Sequence, residues 1–244
     1  MDNLKRDIIA RLQKDILLLQ GVRPPAAGSD NTFGLGPIEA AFPGGVFPVG
    51  TIHEFIAEAP EHAAASEGFI AGVLSILMDK GGACLWISRS RTIFPPALKA
   101  FGLEPDRVIF ASLPGERDVL WAMEEALKCG GLAAVACELS GISFTQSRRL
   151  QLAVEQSKVT GFVLIGAPQK VNATACAARW QIKPLPSMLE EGMPGVGFPR
   201  WQVELLKVRN GNPGSFRLGW KAGRFVPVVT ESISPFVLKG RKAG

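Results

Sequence analysis

The sequence has few of the residues on which metal or redox chemistry depends. Its 244 residues include four cysteines and two histidines. With only His53 and His62, a histidine-rich zinc site is excluded. No two cysteines form a C-x-x-C pair, and most lie among apolar residues, which predicts reduced, buried side chains. They are Cys84, Cys129, Cys137 and Cys176.

Long apolar runs are also missing. Runs such as 16–19 and 162–165 fall far short of the roughly 18–20 residues that span a bilayer. Residues 1–7 alternate in charge and are not followed by the apolar core of a signal peptide, so we expect no secretory signal. The apolar content of 47% is ordinary for a globular protein and excludes disorder for most of the chain. We therefore expect a soluble, cytoplasmic protein with one α/β domain.

Positive charge is concentrated near the C-terminus. Residues 200–244 hold nine Lys/Arg and two Glu, a net charge of +7. The remaining residues hold 18 basic and 20 acidic side chains, a net charge of −2. This asymmetry is consistent either with an anionic partner or with a solubilising strand surface and tail.

The spacing of apolar residues and the positions of glycine and proline divide the chain into three parts. Apolar residues at spacings of three and four predict an amphipathic helix over residues 3–20, which Gly21 and Pro24-Pro25 end. We therefore predict an N-terminal helical segment over 1–24, a core domain over 25–226 and a basic tail over 227–244. The apolar stripe of the helix must pack on its own core or on a neighbouring subunit.

Strands and helices alternate in the core domain. Continuously apolar strands between helices are typical of a mainly parallel sheet with helices on both faces. Period-two strands then predict an antiparallel C-terminal edge, with turns at 210–211 and 221–223. The predicted helices cover 64–79, 95–101, 118–129 and 145–157; the predicted strands cover 51–56, 83–88, 107–111, 132–137, 160–165, 173–183, 200–209 and 215–225.

The segment 57–66 stands where a nucleotide-binding α/β protein carries its phosphate loop. Such a loop needs glycines, a lysine and a Ser or Thr hydroxyl, but this segment has neither glycine nor lysine. Glu58 and Glu61 would repel a triphosphate, and His62 lies beside them. Ser66 is either a remaining hydroxyl or, as we favour, a helix N-cap. Weak anion binding at the helix N-terminus stays open, but the segment does not support nucleotide hydrolysis.

Residues 32–55 resemble the segment that precedes the phosphate loop of RecA-type recombinases. In those proteins a small helix, a Gly-Gly-Leu-Pro-x-Gly turn and an Ile-x-Glu-Ile strand occur in that order, and the likeness of this chain extends over roughly residues 30–225. Three runs resemble more closely the ImuA family, which are SulA/RecA-like accessory proteins of damage-induced mutagenesis. These runs are GPIEAAFPGGVFPVG at 36–50, LWAMEEAL at 120–127 and SRRLQLA at 147–153.

The resemblance implies a RecA-like core that has lost its motor. Ser90 or a neighbour stands where recombinases carry a water-activating glutamate. Glu138 is the residue nearest to the metal-supporting acidic position, and Gly166 or Ala167 replaces a glutamine that senses the γ-phosphate. Together with the degenerate phosphate loop, these departures imply a non-catalytic protein that needs no cofactor.

For function, the resemblance implies an adaptor in SOS-induced translesion DNA synthesis. Its expected partners are a Y-family-like polymerase homologue and an error-prone polymerase complex, with a RecA-type recombinase and single-stranded DNA as further candidates. Self-association through residues 3–20 is a further expectation. Two other functions stay open: a SulA-like division inhibitor that acts by stoichiometric binding, and a weak DNA-stimulated ATPase.

Five residues are candidate contacts to a partner or to DNA. Lys207 and Arg209 match lysines that reach a neighbour's nucleotide in RecA filaments, although they could simply face solvent. Arg148 and Arg149 lie on a predicted helix surface, where arginines are mostly solvated. Trp201 could stack on a base, but an aromatic residue at strand spacing more often belongs to the core.

Overall fold

The computed structural model describes residues 33–79, 81–90, 93–188 and 197–228. The predicted helix at 3–20 and the tail beyond residue 228 lie outside them. The α-helices of the described part are α1 (Pro60–Met78), α2 (Glu116–Leu127) and α3 (Phe144–Ser157). Its strands are β1 (Ile52–Ala57), β2 (Ala83–Ser88), β3 (Val108–Ser112), β4 (Leu132–Leu139), β5 (Thr160–Gly166), β6 (Ala178–Met188), β7 (Phe198–Val208), β8 (Gly214–Lys221) and β9 (Arg224–Pro227).

All nine strands of the described residues form one sheet, in the order β3-β2-β4-β5-β1-β6-β7-β8-β9. The pairs from β3 to β6 are parallel, and those from β6 to β9 are antiparallel. This architecture confirms the predicted α/β class with an antiparallel C-terminal edge. The central strands carry no polar alternation because both of their faces are covered, and every residue of β1 is buried.

The sheet has a core on each face. On one face, α1 packs against aromatic side chains, among which the rings of Phe55 and Trp180 stack 5.6 Å apart. On the other face, α2 and α3 bury apolar side chains such as Met123, Leu127 and Val154. The parallel half is thus sealed on both sides, which leaves its carboxyl edge as the place for a site.

Short 3-10 helices replace two of the predicted helical segments. Gly36–Ala41 and Pro95–Phe101 are both 3-10 helices, each with a proline in its first turn. Pro43–Gly45 and Pro105–Arg107 add two more 3-10 turns. In the predicted turn at 221–223, Ala222 and Gly223 both adopt positive φ, as a tight hairpin requires.

The structure corrects the expectation for one cysteine. Cys84, Cys137 and Cys176 are buried, but Cys129 is exposed in the turn that follows α2. Burial raises the pKa of the Cys84 thiol to about 12 and that of Cys176 to about 11, and it raises that of Cys137 further. Among the described helices, none is long and apolar enough to cross a bilayer.

Candidate functional site

The connection between β1 and α1 is much shorter than the sequence indicates. We predicted a loop over 57–66, but β1 ends at Ala57 and α1 begins at Pro60, so only Glu58 and Ala59 separate them. Proline is favoured in a first helical turn, which explains the early start. Glu58 is exposed in the connection and Glu61 in the first turn of α1. Two residues are too few for the long glycine-rich loop that wraps phosphates.

The expected role of Ser66 as a helix N-cap is wrong. Ser66 is fully buried one and a half turns into α1, where its hydroxyl donates to the carbonyl oxygen of His62 at 2.7 Å. The actual N-cap is Ala59, whose side chain makes no capping hydrogen bond. His62 is half-buried, and its Nδ1 is buried without a hydrogen-bond partner in the structure described here.

A cavity of about 500 Å³ opens at the carboxyl edge of the parallel strands. Here the structure brings together Ser90, Glu138 and Gly166, the three positions that the resemblance aligns with recombinase catalytic residues. The cavity is lined by Ala63, Glu67, Arg89, Ser90, Pro114, Glu116, Glu138, Leu139, Ser140, Leu164 and Gly166. We call it the edge cavity.

Two carboxyl groups of the edge cavity interact unfavourably. Burial raises the pKa of Glu67 to about 7, and the nearby charge of Glu138 adds to this effect. Glu138 accepts a hydrogen bond of 3.0 Å from the indole N–H of Trp86. The wall of the edge cavity nearest to α1 is therefore acidic, and charging Glu67 at neutral pH is costly.

A third carboxyl group is stabilised in its charged form. Glu116 accepts a hydrogen bond of 2.8 Å from the backbone N–H of Ser140 and lies 3.4 Å from a guanidinium nitrogen of Arg89. The bond to Ser140 and the charge of Arg89 hold the pKa of Glu116 below its usual range. Three carboxyl groups and one guanidinium therefore line the edge cavity. No group of three or more His, Cys, Asp or Glu within the described ranges could hold a metal ion.

The segment between β5 and β6 is fixed by buried polar contacts. Glu54 of β1 accepts hydrogen bonds of 2.8 Å from both Arg179 and Thr174. The backbone N–H of Ala175 donates to the hydroxyl of Ser147 at 2.9 Å. β6 therefore begins at Ala178 rather than at the predicted residue 173, and these bonds hold the residues that precede it.

Lys207 and Arg209 are bound within the chain. Lys207 Nζ donates to the carbonyl oxygen of Thr174 at 2.6 Å, and Arg209 donates to that of Ala175. Lys207 is half-buried, and burial lowers the pKa of its ammonium group. Both cations therefore fasten the β5–β6 segment, a role that the sequence pattern does not reveal.

The other candidate contacts divide between surface and core. Arg148 and Arg149 are exposed on α3 and lie 3.8 Å and 2.6 Å from Glu155 and Glu124, respectively. Trp201 is only 3% exposed and packs against aromatic rings of the α1 face. This burial agrees with the core alternative for Trp201 and leaves it unable to stack on a base.

Sequence reasoning missed Glu67 and Glu116. Glu67 lies one helical turn after Ala63, so both face the edge cavity. A single charged residue among the small and apolar residues at 63–74 is a signal that could have indicated it. Glu116 reaches Ser140 across 24 positions of the sequence, and no local pattern indicates such a contact.

Comparison with curated proteins identifies relatives. Protein ImuA of Caulobacter vibrioides strain NA1000 / CB15N is 36% identical over 201 residues, which cover 78% of this chain and 81% of that protein. Protein ImuA of strain ATCC 19089 / CIP 103742 / CB 15 matches with the same identity and coverage. The chain belongs to the ImuA family. The ImuA resemblance predicted from the three runs is therefore confirmed. No family model matches the chain.

Proposed function

We propose that this ImuA-family protein is a non-catalytic adaptor in SOS-induced translesion DNA synthesis. Membership of the ImuA family supports an accessory role in damage-induced mutagenesis. In this role, the protein acts in the cytoplasm, binds a Y-family-like polymerase homologue and supports an error-prone polymerase. A RecA-type recombinase is a further candidate partner.

The proposal that the protein is non-catalytic rests on one observation, the two-residue connection between β1 and α1. It leaves no glycine-rich loop to surround phosphates, and it contains no lysine to neutralise them. The acidic lining of the edge cavity points the same way, because a triphosphate there would face three carboxyl groups and one guanidinium.

The decisive experiment combines partner binding with nucleotide turnover. The full chain is expected to co-purify with a Y-family-like polymerase homologue, and to hydrolyse no ATP with or without single-stranded DNA. Absence of any association would overturn the adaptor role. ATP turnover that is lost in Glu138→Gln but kept in Glu58→Gln would instead indicate an ATPase with an unconventional site.

A cellular assay separates this role from division inhibition. Deletion of the gene is expected to lower damage-induced mutation frequency. Overproduction is expected to leave cell length unchanged. Filamentous growth without an effect on mutagenesis would contradict the proposal and favour a SulA-like activity.

A further inference from the structure

The antiparallel half of the sheet has two chemically different faces. One face carries the aromatic residues that pack against α1. Side chains on the other face, which we call the basic face, are exposed or half-buried except at Gln181 and Gly219. The strand register places on it Gln181, Lys183, Leu185, Arg200, Gln202, Glu204, Ser215, Arg217, Gly219, Lys221, Arg224 and Val226. Five of these residues are cationic and one is acidic.

Four of the cations form a diagonal stripe across the strands. Arg224 of β9 lies directly opposite Lys221 of β8. Arg200 of β7 pairs with Gly219, two positions from Lys221, so Arg200 and Lys221 are diagonal neighbours. By the same reasoning, Lys183 of β6 is a diagonal neighbour of Arg200, which pairs with Leu185. Opposite pairs are about 5 Å apart and diagonal pairs about 7–8 Å.

The acidic group of the basic face is engaged by its neighbours. Glu204 accepts hydrogen bonds from Ser215 at 2.9 Å and from Gln202 at 3.1 Å. Arg200 Nε donates to the carbonyl oxygen of Pro186 at 2.6 Å, which fixes its guanidinium at one point of the stripe. The stripe therefore presents four positive charges on four adjacent strands.

A nucleic acid strand fits the stripe better than an acidic protein does. A strand presents one phosphate per nucleotide, and Lys and Arg side chains are the usual contacts to phosphates. Protein partners, by contrast, need large apolar or aromatic anchors at the centre of the interface. The larger apolar residues on this face, Leu185, Phe198 and Val226, are all half-buried, and Lys221 Nζ lies 5.0 Å from the centre of the Phe198 ring.

We propose that the basic face binds the phosphate backbone of a nucleic acid strand. This surface differs from the contacts that the sequence predicted, since Trp201 lies on the opposite face and Lys207 and Arg209 hold the β5–β6 segment. The proposal is independent of the adaptor role, because it requires neither the polymerase homologue nor the edge cavity.

The test measures binding of a fluorescently labelled, mixed-sequence DNA oligonucleotide to the full chain. Single-stranded and duplex forms are titrated by fluorescence anisotropy between roughly 50 and 200 mM salt. The test variant is Lys183→Gln/Arg200→Gln/Arg224→Gln. The control is Arg117→Gln/Lys128→Gln/Lys170→Gln, which removes the same charge from exposed positions on α2, directly after α2 and between β5 and β6.

The wild type is expected to bind with a strong salt dependence. For the single strand, loss of three phosphate contacts should reduce the slope of log affinity against log salt by about 2 and weaken binding roughly ten- to hundredfold. The control variant should stay within about twofold of the wild type, because phosphate contacts are local. Circular dichroism and thermal melting check folding. If the triple variant is misfolded, the single variants Lys183→Gln and Arg224→Gln replace it. For each of them, the slope of log affinity against log salt should be smaller than that of the wild type by about 0.7.

Several results would overturn the proposal. The proposal fails if the wild type binds neither DNA form, or if the test variant binds DNA as tightly as the wild type does. It also fails if the control variant loses as much affinity for DNA as the test variant. Polyglutamate that displaces the labelled DNA as well as unlabelled DNA does would assign the face to an acidic protein instead. Binding of the polymerase homologue by the test variant distinguishes this failure from failure of the adaptor role.

Discussion

Replacing Glu67 by glutamine should stabilise the protein in a pH-dependent manner. In the folded state, burial and Glu138 raise the pKa of Glu67 from 4.5 to about 7. Below pH 4.5, the carboxyl is protonated in both the folded and the unfolded state, so the substitution changes little. Between pH 4.5 and 7, the folded wild type retains a proton that the unfolded state releases, and above pH 7 it carries Glu67 charged in an unfavourable site. Its free energy of unfolding therefore falls relative to that of Glu67→Gln.

The size of the effect follows from the shift. Each pKa unit corresponds to about 1.4 kcal/mol, so the rise from 4.5 to about 7 gives an upper limit of roughly 3.5 kcal/mol. Because Glu67 is only half-buried and solvent screens its charge, we expect a gain of about 1–2 kcal/mol at pH 8. The gain should shrink steadily towards pH 5.

Urea denaturation at several pH values between 5 and 8 measures this gain. Glu58→Gln is the matched control, since it removes the same charge from an exposed position in the β1–α1 connection. Comparing the two variants cancels the general effect of lowering the negative charge. A gain for Glu67→Gln that is constant with pH, or equal to that of Glu58→Gln, would refute the reasoning.

Two further predictions concern packing and buried charge. Trp201→Ala should lower the free energy of unfolding by about 3–5 kcal/mol. The control, Trp121→Ala, changes a side chain that is 64% exposed on α2 and should alter the free energy of unfolding by less than about 0.5 kcal/mol. If urea denaturation gave similar losses for the two variants, Trp201 would not belong to the core. Arg179→Met should cost about 3–5 kcal/mol because it leaves the Glu54 carboxylate, whose side chain is 3% exposed, without its cation. Adding Glu54→Gln to that variant should recover part of the loss, and a double variant less stable than Arg179→Met would count against a charge effect.

The order of strands and helices was predictable because it depends on local apolar patterns. We predicted strands over 83–88 and 160–165 from apolar runs in the sequence, and β2 and β5 coincide closely with these ranges. The hairpin turn at Ala222 and Gly223 likewise follows from residues that are adjacent in sequence. Such features need no knowledge of the tertiary contacts.

The site was predictable only in part, because its contacts join distant segments. The resemblance aligned Ser90, Glu138 and Gly166 with positions of the recombinase site, and the edge cavity joins all three. Local reasoning failed for Lys207, because its partner Thr174 lies 33 positions away. It also misplaced the start of α1. We expected a long loop, but proline is favoured in a first helical turn and the helix begins at Pro60.

The exposed Cys129 makes the native chain suitable for site-specific labelling. The other three cysteines are buried and hold their protons tightly, so a maleimide dye should react at the turn after α2 alone. Spectroscopic experiments on partner docking can thus begin without an engineered cysteine. They will require a reducing agent during storage, because the same accessible thiol can join two molecules by oxidation.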